Sequence, residues 1–291
     1  MKTQKNNLII LFLFFVIISC KEEGGAPPGD REKTNNKETG AESTLEVPEG
    51  MILFSGFLWK VNYTENFADS RNFCLTHKEN IRVNDDGSLE LKIRKRGEYW
   101  YGAEIISDSV FGYGDFVFYV DGFVDELDEN STFTLISRNV APYGYSGLTE
   151  AGIRFSSWVS FEATSPLEYY LYSTEKKYAE VHEPRNEFDL DKPASTHKVS
   201  INPYSIGFAS FKGFGNPTAQ VIDRFTVHED VSEYDNEIST LSYSKTNDSN
   251  KVIMNLCLPE ANKPATGKEV IIKINKFEFI PYRDQLSTNE E

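Results

Sequence analysis

Trp100-Tyr-Gly-Ala-Glu-Ile-Ile106 and, a few residues on, Phe111-Gly-Tyr-Gly-Asp-Phe116 decide how this chain is read. Both runs are rich in aromatic and β-branched residues, the types that suit a pleated surface. Their glycines permit a tight connection, after which the next strand begins. The second run passes directly into Asp115-Phe-Val-Phe-Tyr-Val120, one of several segments with the alternating pattern of a strand.

That alternation recurs on both sides. Upstream stands Ser88-Leu-Glu-Leu-Lys-Ile93. Downstream come Glu168-Tyr-Tyr-Leu-Tyr172, His197-Lys-Val-Ser-Ile201, Ile206-Gly-Phe-Ala-Ser-Phe211 and Val270-Ile-Ile-Lys-Ile-Asn-Lys-Phe-Glu-Phe279. Turn chemistry separates them, as at Asn84-Asp-Asp-Gly87 and Lys212-Gly213. The 21 Phe and 15 Tyr fit half-buried sheet surfaces, and no long apolar pattern of helical period stands out. The expectation is an all-β chain: a two-sheet antiparallel β-sandwich of jelly-roll type over residues 51–283, with 284–291 as a C-terminal tail. At about 230 residues it falls within the range of one large sandwich.

The N-terminus reads differently. Lys2 and Lys5 precede the apolar run Leu8 to Ile18, and Ser19-Cys20 closes it, which is the pattern of a secretory leader too short for an ordinary membrane span. Ile17-Ile18-Ser19-Cys20 resembles the bacterial lipobox, with Ile17 where Leu is commonest. The resemblance implies a signal peptide over 1–19 and lipidation of Cys20, so that the membrane is a partner through the N-terminal lipid. Lys21-Glu22-Glu23 resembles the surface-export signal of some bacterial lipoproteins, which implies a lipid-anchored, surface-exposed protein of the bacterial outer membrane. Residues 20–50 carry Gly, Pro, Asn, Glu and Lys with few large apolar side chains, and are expected to form a flexible tether.

The formal charge is −15, and loss of Lys2 and Lys5 with the leader would take it to about −17. Such a chain repels nucleic acid unless it is locally basic. No basic cluster with interleaved aromatics is expected, so no nucleic-acid partner is either. Besides Cys20 the cysteines are Cys74 and Cys257, a candidate disulfide pair in an exported protein, the alternative being two buried thiols. His77, His182, His197 and His228 are scattered; no cofactor and no dedicated transition-metal site are expected.

Six segments, in order, resemble glycoside hydrolase family 16 and its concanavalin A-like relatives. Asp85-Asp-Gly-Ser-Leu-Glu-Leu-Lys-Ile93 is similar to an early strand of that group, and the 100–106 and 111–116 pair to its next two. Further on, Glu150-Ala-Gly-Ile-Arg-Phe155 with Ser156-Ser-Trp158 resembles the catalytic strand and its sequel. Thr196 to Phe208 resembles a later hairpin, with Ile201 or Asn202 where tryptophan is usual. Met254-Asn-Leu-Cys-Leu258 and Ile274-Asn-Lys-Phe-Glu-Phe-Ile-Pro281 are similar to the closing strands. The resemblance spans nearly the whole body and implies a laminarinase-like sandwich. A structural calcium occurs in relatives, but no ligands for it can be placed here.

The resemblance also places chemistry. Glu150, Gly152 and Arg154 share one face of a strand by their spacing of two. In the family pattern they fall at the nucleophile, the assisting aspartate and the general acid/base. Retaining hydrolysis needs two carboxyl groups about 5–5.5 Å apart. Arginine stays protonated and is a very poor proton donor, and glycine supplies no side chain. The expectation is a site without catalytic residues in which Arg154 ion-pairs with Glu150. Two alternatives stay open: a motif shifted to Glu162 or Glu168, or a carboxylate from elsewhere, either of which would leave an active β-glucan or galactan hydrolase with an atypical acid. Otherwise the chain reads as a pseudo-glycosidase that binds a polysaccharide or a protein ligand, with Tyr143, Tyr145, Glu150, Arg154 and Trp158 as candidate contacts.

Overall fold

A computed structural model describes residues 47–64, 74–140, 150–156, 165–173, 178–182, 188–215, 220–228, 249–259 and 263–283. Cys20, Tyr143, Tyr145, Trp158 and Glu162 lie outside the described residues, as do the leader and most of the tether.

The described chain is built of antiparallel strands. The first six are β1 (Met51–Phe54), β2 (Phe57–Asn62), β3 (Ile81–Val83), β4 (Leu89–Arg96), β5 (Tyr99–Tyr101) and β6 (Ala103–Ser107). There follow β7 (Gly114–Asp121), β8 (Thr132–Asn139), β9 (Glu150–Ser156), β10 (Leu167–Ser173) and β11 (Tyr178–His182). The last are β12 (Ala194–Asn202), β13 (Ser205–Lys212), β14 (Val221–His228), β15 (Asn250–Cys257) and β16 (Val270–Pro281). Among the described residues the helical turns are two short 3₁₀ segments, Lys78–Asn80 and Val124–Glu126.

These strands form two sheets. The first runs β1-β2-β6-β15-β8-β9-β10-β11, and the second β14-β13-β12-β7-β16-β4-β3, with β5 hanging on β4. The fold is therefore an all-β, two-sheet antiparallel sandwich of jelly-roll type. Each alternating segment of the sequence lies in a strand, and the expected turn at Asn84 to Gly87 closes β3 onto β4, with the Gly87 amide donating to the Asn84 carbonyl and Gly87 at φ 78°.

The core lies between the sheets. Phe133, Leu135, Ala151, Ile153, Phe155, Met254 and Leu256 of the first sheet meet Phe116, Phe118, Val199, Phe208, Ile274 and Phe277 of the second. Each such large side chain contributes about 1.5–3 kcal/mol by leaving water. Rings dominate at one end, where Trp59 meets Phe277 edge-on at 5.3 Å between centroids and Phe111 touches Phe57, Phe116, Phe277 and Phe279.

Elsewhere the core takes in a polar ring, set against Phe155. His197 is fully buried, with Ser210 Oγ 2.9 Å from Nδ1 and Ser195 Oγ 2.9 Å from Nε2. Burial pushes its pKa down to about 3, so the ring is neutral. Nearby, Tyr169 donates to the Asp223 carbonyl at 3.2 Å. The Asp223 carboxylate lies 2.9 Å from His182 Nε2, and the His182 ring stacks on Tyr169 and Phe225. This contact joins β11, the last strand of the first sheet, to β14, the last of the second. Cys74 and Cys257 are disulfide-bonded with Cα atoms 5.8 Å apart, tying the segment before β3 to the end of β15.

Candidate functional site

The period of two along β9 sends Ala151, Ile153 and Phe155 into the core and turns Glu150, Gly152 and Arg154 to the opposite face of the first sheet. Neighbouring strands extend that face into rows that cross the sheet. One row reads Asn62, Glu104, Asn255, Thr134, Arg154, Glu168. The next reads Lys60, Ile106, Ile253, Ile136, Gly152, Tyr170, and a third reads Lys251, Arg138, Glu150, Tyr172.

The expected Glu150–Arg154 ion pair does not form. Glu150 is held instead by Arg138 of β8, directly opposite in register, whose Nε and Nη2 donate to the same carboxylate oxygen at 2.8 and 2.7 Å. Arg154 donates to Glu168 Oε2 at 3.2 Å across the β9–β10 pair. The reason is distance. Residues four apart on a strand are separated by about 13 Å, whereas cross-strand neighbours sit at about 5 Å.

Between the two pairs lies the Tyr170 ring. A Cβ placed on Gly152 would come within 2.5 Å of Tyr170 Cε1 and Cζ, so the ring occupies the volume that a carboxylate side chain at position 152 would enter. The Arg154 guanidinium carbon stands 4.7 Å from the ring centroid. Burial raises the Tyr170 phenol above its ordinary range; the Glu150 charge acts in the same sense, and Arg154 and Arg138 oppose it. Tyr170, Ile136 and Ile253 form a small apolar cluster of their own on this face, each at most 5 % exposed, with Ile106 and Tyr172 packed against it.

The third carboxylate of the face is also engaged. Glu104 accepts from the Asn62 amide on one oxygen and from Asn255 Nδ2 at 2.7 Å on the other. Each described glutamate here thus has its own cation or amide pair. The face offers hydrogen-bonding groups in a row and a filled centre, rather than two facing carboxyl groups.

No family model and no curated protein sequence matches the chain. Solved structures match it in shape. A β-glucanase of Bacillus licheniformis is 13 % identical with a TM-score of 0.52, over 81 % of this chain and 94 % of that one. A glycoside hydrolase family 16 endo-glucanase from Bacteroides ovatus is 11 % identical with a TM-score of 0.55, over 76 % and 94 %. An immunostimulatory antigen and pseudo β-1,3-glucanase of Mycobacterium tuberculosis is 14 % identical with a TM-score of 0.57, over 77 % and 91 %.

The chain shares the sandwich fold of these proteins.

Several residues of the sandwich face escaped the sequence reading. Arg138, Asn62, Glu104 and Asn255 belong to strands distant in sequence, and only register assembles them. Glu168, which one alternative placed in a shifted motif, is the partner of Arg154. The β4–β5 hairpin sets Arg94 opposite Tyr101, Lys95 opposite Trp100 and Arg96 opposite Tyr99, while Lys92, Arg94 and Arg96 are ion-paired to Glu90, Glu269 and Glu79. Among the described residues no three His, Cys, Asp or Glu side chains group as metal ligands.

Proposed function

We propose that this chain is a non-catalytic, lipid-anchored envelope protein of a bacterial outer membrane, whose glucanase-type sandwich binds a polysaccharide. The observation that carries the non-catalytic reading is the Tyr170 ring seated on Gly152 between the Arg138–Glu150 and Arg154–Glu168 pairs. Retaining hydrolysis needs an ionised and a protonated carboxyl about 5–5.5 Å apart. Here an aromatic ring separates the two nearest candidates and an arginine stands at each. The likeness to both active glucanases and a pseudo-glucanase is compatible with this reading and carries only the shape. Sugar hydroxyls would meet Asn62, Glu104 and Arg154 of the polar row, which are part-exposed, while Asn255, Thr134 and Glu168 of the same row are buried, Asn255 and Glu168 holding Glu104 and Arg154 in place.

The test is incubation of the purified protein with β-glucans and galactans, reading new reducing ends and retention on each polymer. No release, with retention on one polymer, is expected. The second reading, a hydrolase with a relocated acid, draws on Glu168, which lies directly opposite the acid/base position on the next strand. Reducing ends that vanish in both Glu150→Ala and Glu168→Gln would establish it and overturn the first. Lipidation is tested separately: the chain partitions into detergent, and Cys20→Ser abolishes that partition.

A further inference from the structure

The polar row of the first sheet ends beside a covalent link. Cys257 closes β15 two residues after Asn255 and so lies on the same side of the sheet. Its disulfide partner, Cys74, opens the segment that runs along the end of β2. We propose that this disulfide assembles the Asn62–Glu104–Asn255 cluster, which forms when the bond is made and comes apart while the two sulfurs are reduced. The consequence, which rests on the polysaccharide reading, is a binding face competent only in an oxidising compartment.

Asn62 is the last residue of β2, and its pairing with Glu104 is the last between β2 and β6. Beyond it the segment after Cys74 takes over as neighbour. Thr76 is 3 % exposed and accepts the Thr64 amide on its carbonyl and hydroxyl oxygens; the hydroxyl itself donates to the Asn62 carbonyl at 3.2 Å. The same segment is stitched to the residue before β6. Gly102 donates to the Leu75 carbonyl at 2.8 Å, and His77 donates to the Gly102 carbonyl at 3.1 Å. Gly102 lies so close against β15 that a Cβ there would stand 2.2 Å from the Leu256 carbonyl oxygen and 3.0 Å from Cys257 Cα. The disulfide thus closes a ring through the three strands that carry Asn62, Glu104 and Asn255.

Hydrogen bonds alone hold that ring weakly. Fixing a residue's backbone costs at least as much as a typical hydrogen bond returns. Thr76 meets Thr64 and Gly102 through isolated bridges rather than a strand, so the covalent tie to β15 decides whether the segment stays ordered. Both oxygens of Glu104 depend on it. One accepts from Asn62, whose strand end Thr76 fixes, and the other from Asn255, two residues from Cys257.

Cytoplasmic thiols stay reduced, and disulfides form after export. There an oxidised dithiol exchanges with the two cysteines. Their S–S bond forms as the oxidant's own breaks, and two electrons and two protons pass to the oxidant. Cys74 and Cys257 are each 5 % exposed, so the bond once made is shielded from reductants.

The experiment compares the oxidised full chain, the same chain reduced by dithiothreitol, and Cys74→Ser/Cys257→Ser, reading backbone amide exchange and retention on laminarin and on a galactan. Reduction is expected to speed exchange at Thr64, Thr76, His77 and Gly102 roughly tenfold or more, with the amides of β7 and β12 unchanged. Retention shown by the oxidised chain should be lost on reduction and regained on reoxidation, and the double variant should match the reduced chain with or without dithiothreitol. Unchanged exchange at the four amides overturns the inference, as does equal retention by the oxidised and reduced chains. Exchange that rises equally in β7 and β12 also overturns it, because the bond would then support the whole sandwich rather than this cluster. If the oxidised chain retains neither polymer while the four amides still respond, the polysaccharide reading fails and assembly of the cluster by the disulfide stands.

Discussion

The Tyr170 ring lies against Gly152 so closely that a Cβ at 152 would stand 2.5 Å from its Cε1. The glycine is thus required by a neighbouring strand, and the pair acts as a unit.

Gly152→Asp therefore does not restore a catalytic carboxylate. It overpacks the face and is expected to cost about 1–3 kcal/mol in urea unfolding. Gly152→Asp combined with Tyr170→Ala should be less destabilised than the sum of the two single variants, because the second change removes what the first collides with. Strict additivity would mean that the ring does not fill this space.

The two arginines should differ in their effect on stability. Arg138→Ala uncovers Glu150, whose side chain is 20 % exposed and can still meet water, so the loss should be about 1 kcal/mol. Arg154→Ala takes the cation from beside Glu168, whose side chain is 6 % exposed, and should cost about 2–4 kcal/mol. Denaturation midpoints in the reverse order would refute the assignment of partners.

His197 predicts a dependence on pH. Its folded pKa is pushed down to about 3 by burial, against an unfolded value of 6.5. Below pH 6.5 the unfolded chain takes up a proton that the folded chain does not, so stability is complete above 6.5 and falls as pH drops toward 3. The slope approaches about 1.4 kcal/mol per pH unit in that window. His197→Leu leaves the Ser195 and Ser210 hydroxyls without their ring partner and lowers stability at every pH, yet it should flatten the curve between pH 6.5 and 5. An unchanged slope in the variant would place the titration elsewhere.

The disulfide spans 183 residues of sequence. Replacing Cys74 and Cys257 by serine frees the unfolded chain and should cost about 2–5 kcal/mol, read as a lower melting temperature. Reduction of the parent protein should lower its melting temperature to the same value.

Much of the fold was legible because alternation is local. The segments around residues 88–93, 115–120, 168–172, 197–201, 206–211 and 270–279 carry their own period and lie in β4, β7, β10, β12, β13 and β16. The same period put Glu150, Gly152 and Arg154 on one face. It could not say who stands opposite them, since Arg138 and Glu168 reach that face through pairings with β8 and β10. A strand dictates which way its side chains point, and its neighbours dictate what they meet.

His182 and Asp223 stand on the terminal strands of their respective sheets, where among the described residues β11 and β14 each have a hydrogen-bonded neighbour on one side only. A bare strand edge is a template for another chain. The stacked imidazole and its carboxylate fasten those two edges to each other, so peeling either strand away must break a ring stack and a polar contact together. The sandwich is thus clasped along one pair of its sheet edges, and the two terminal strands there hold or give way together.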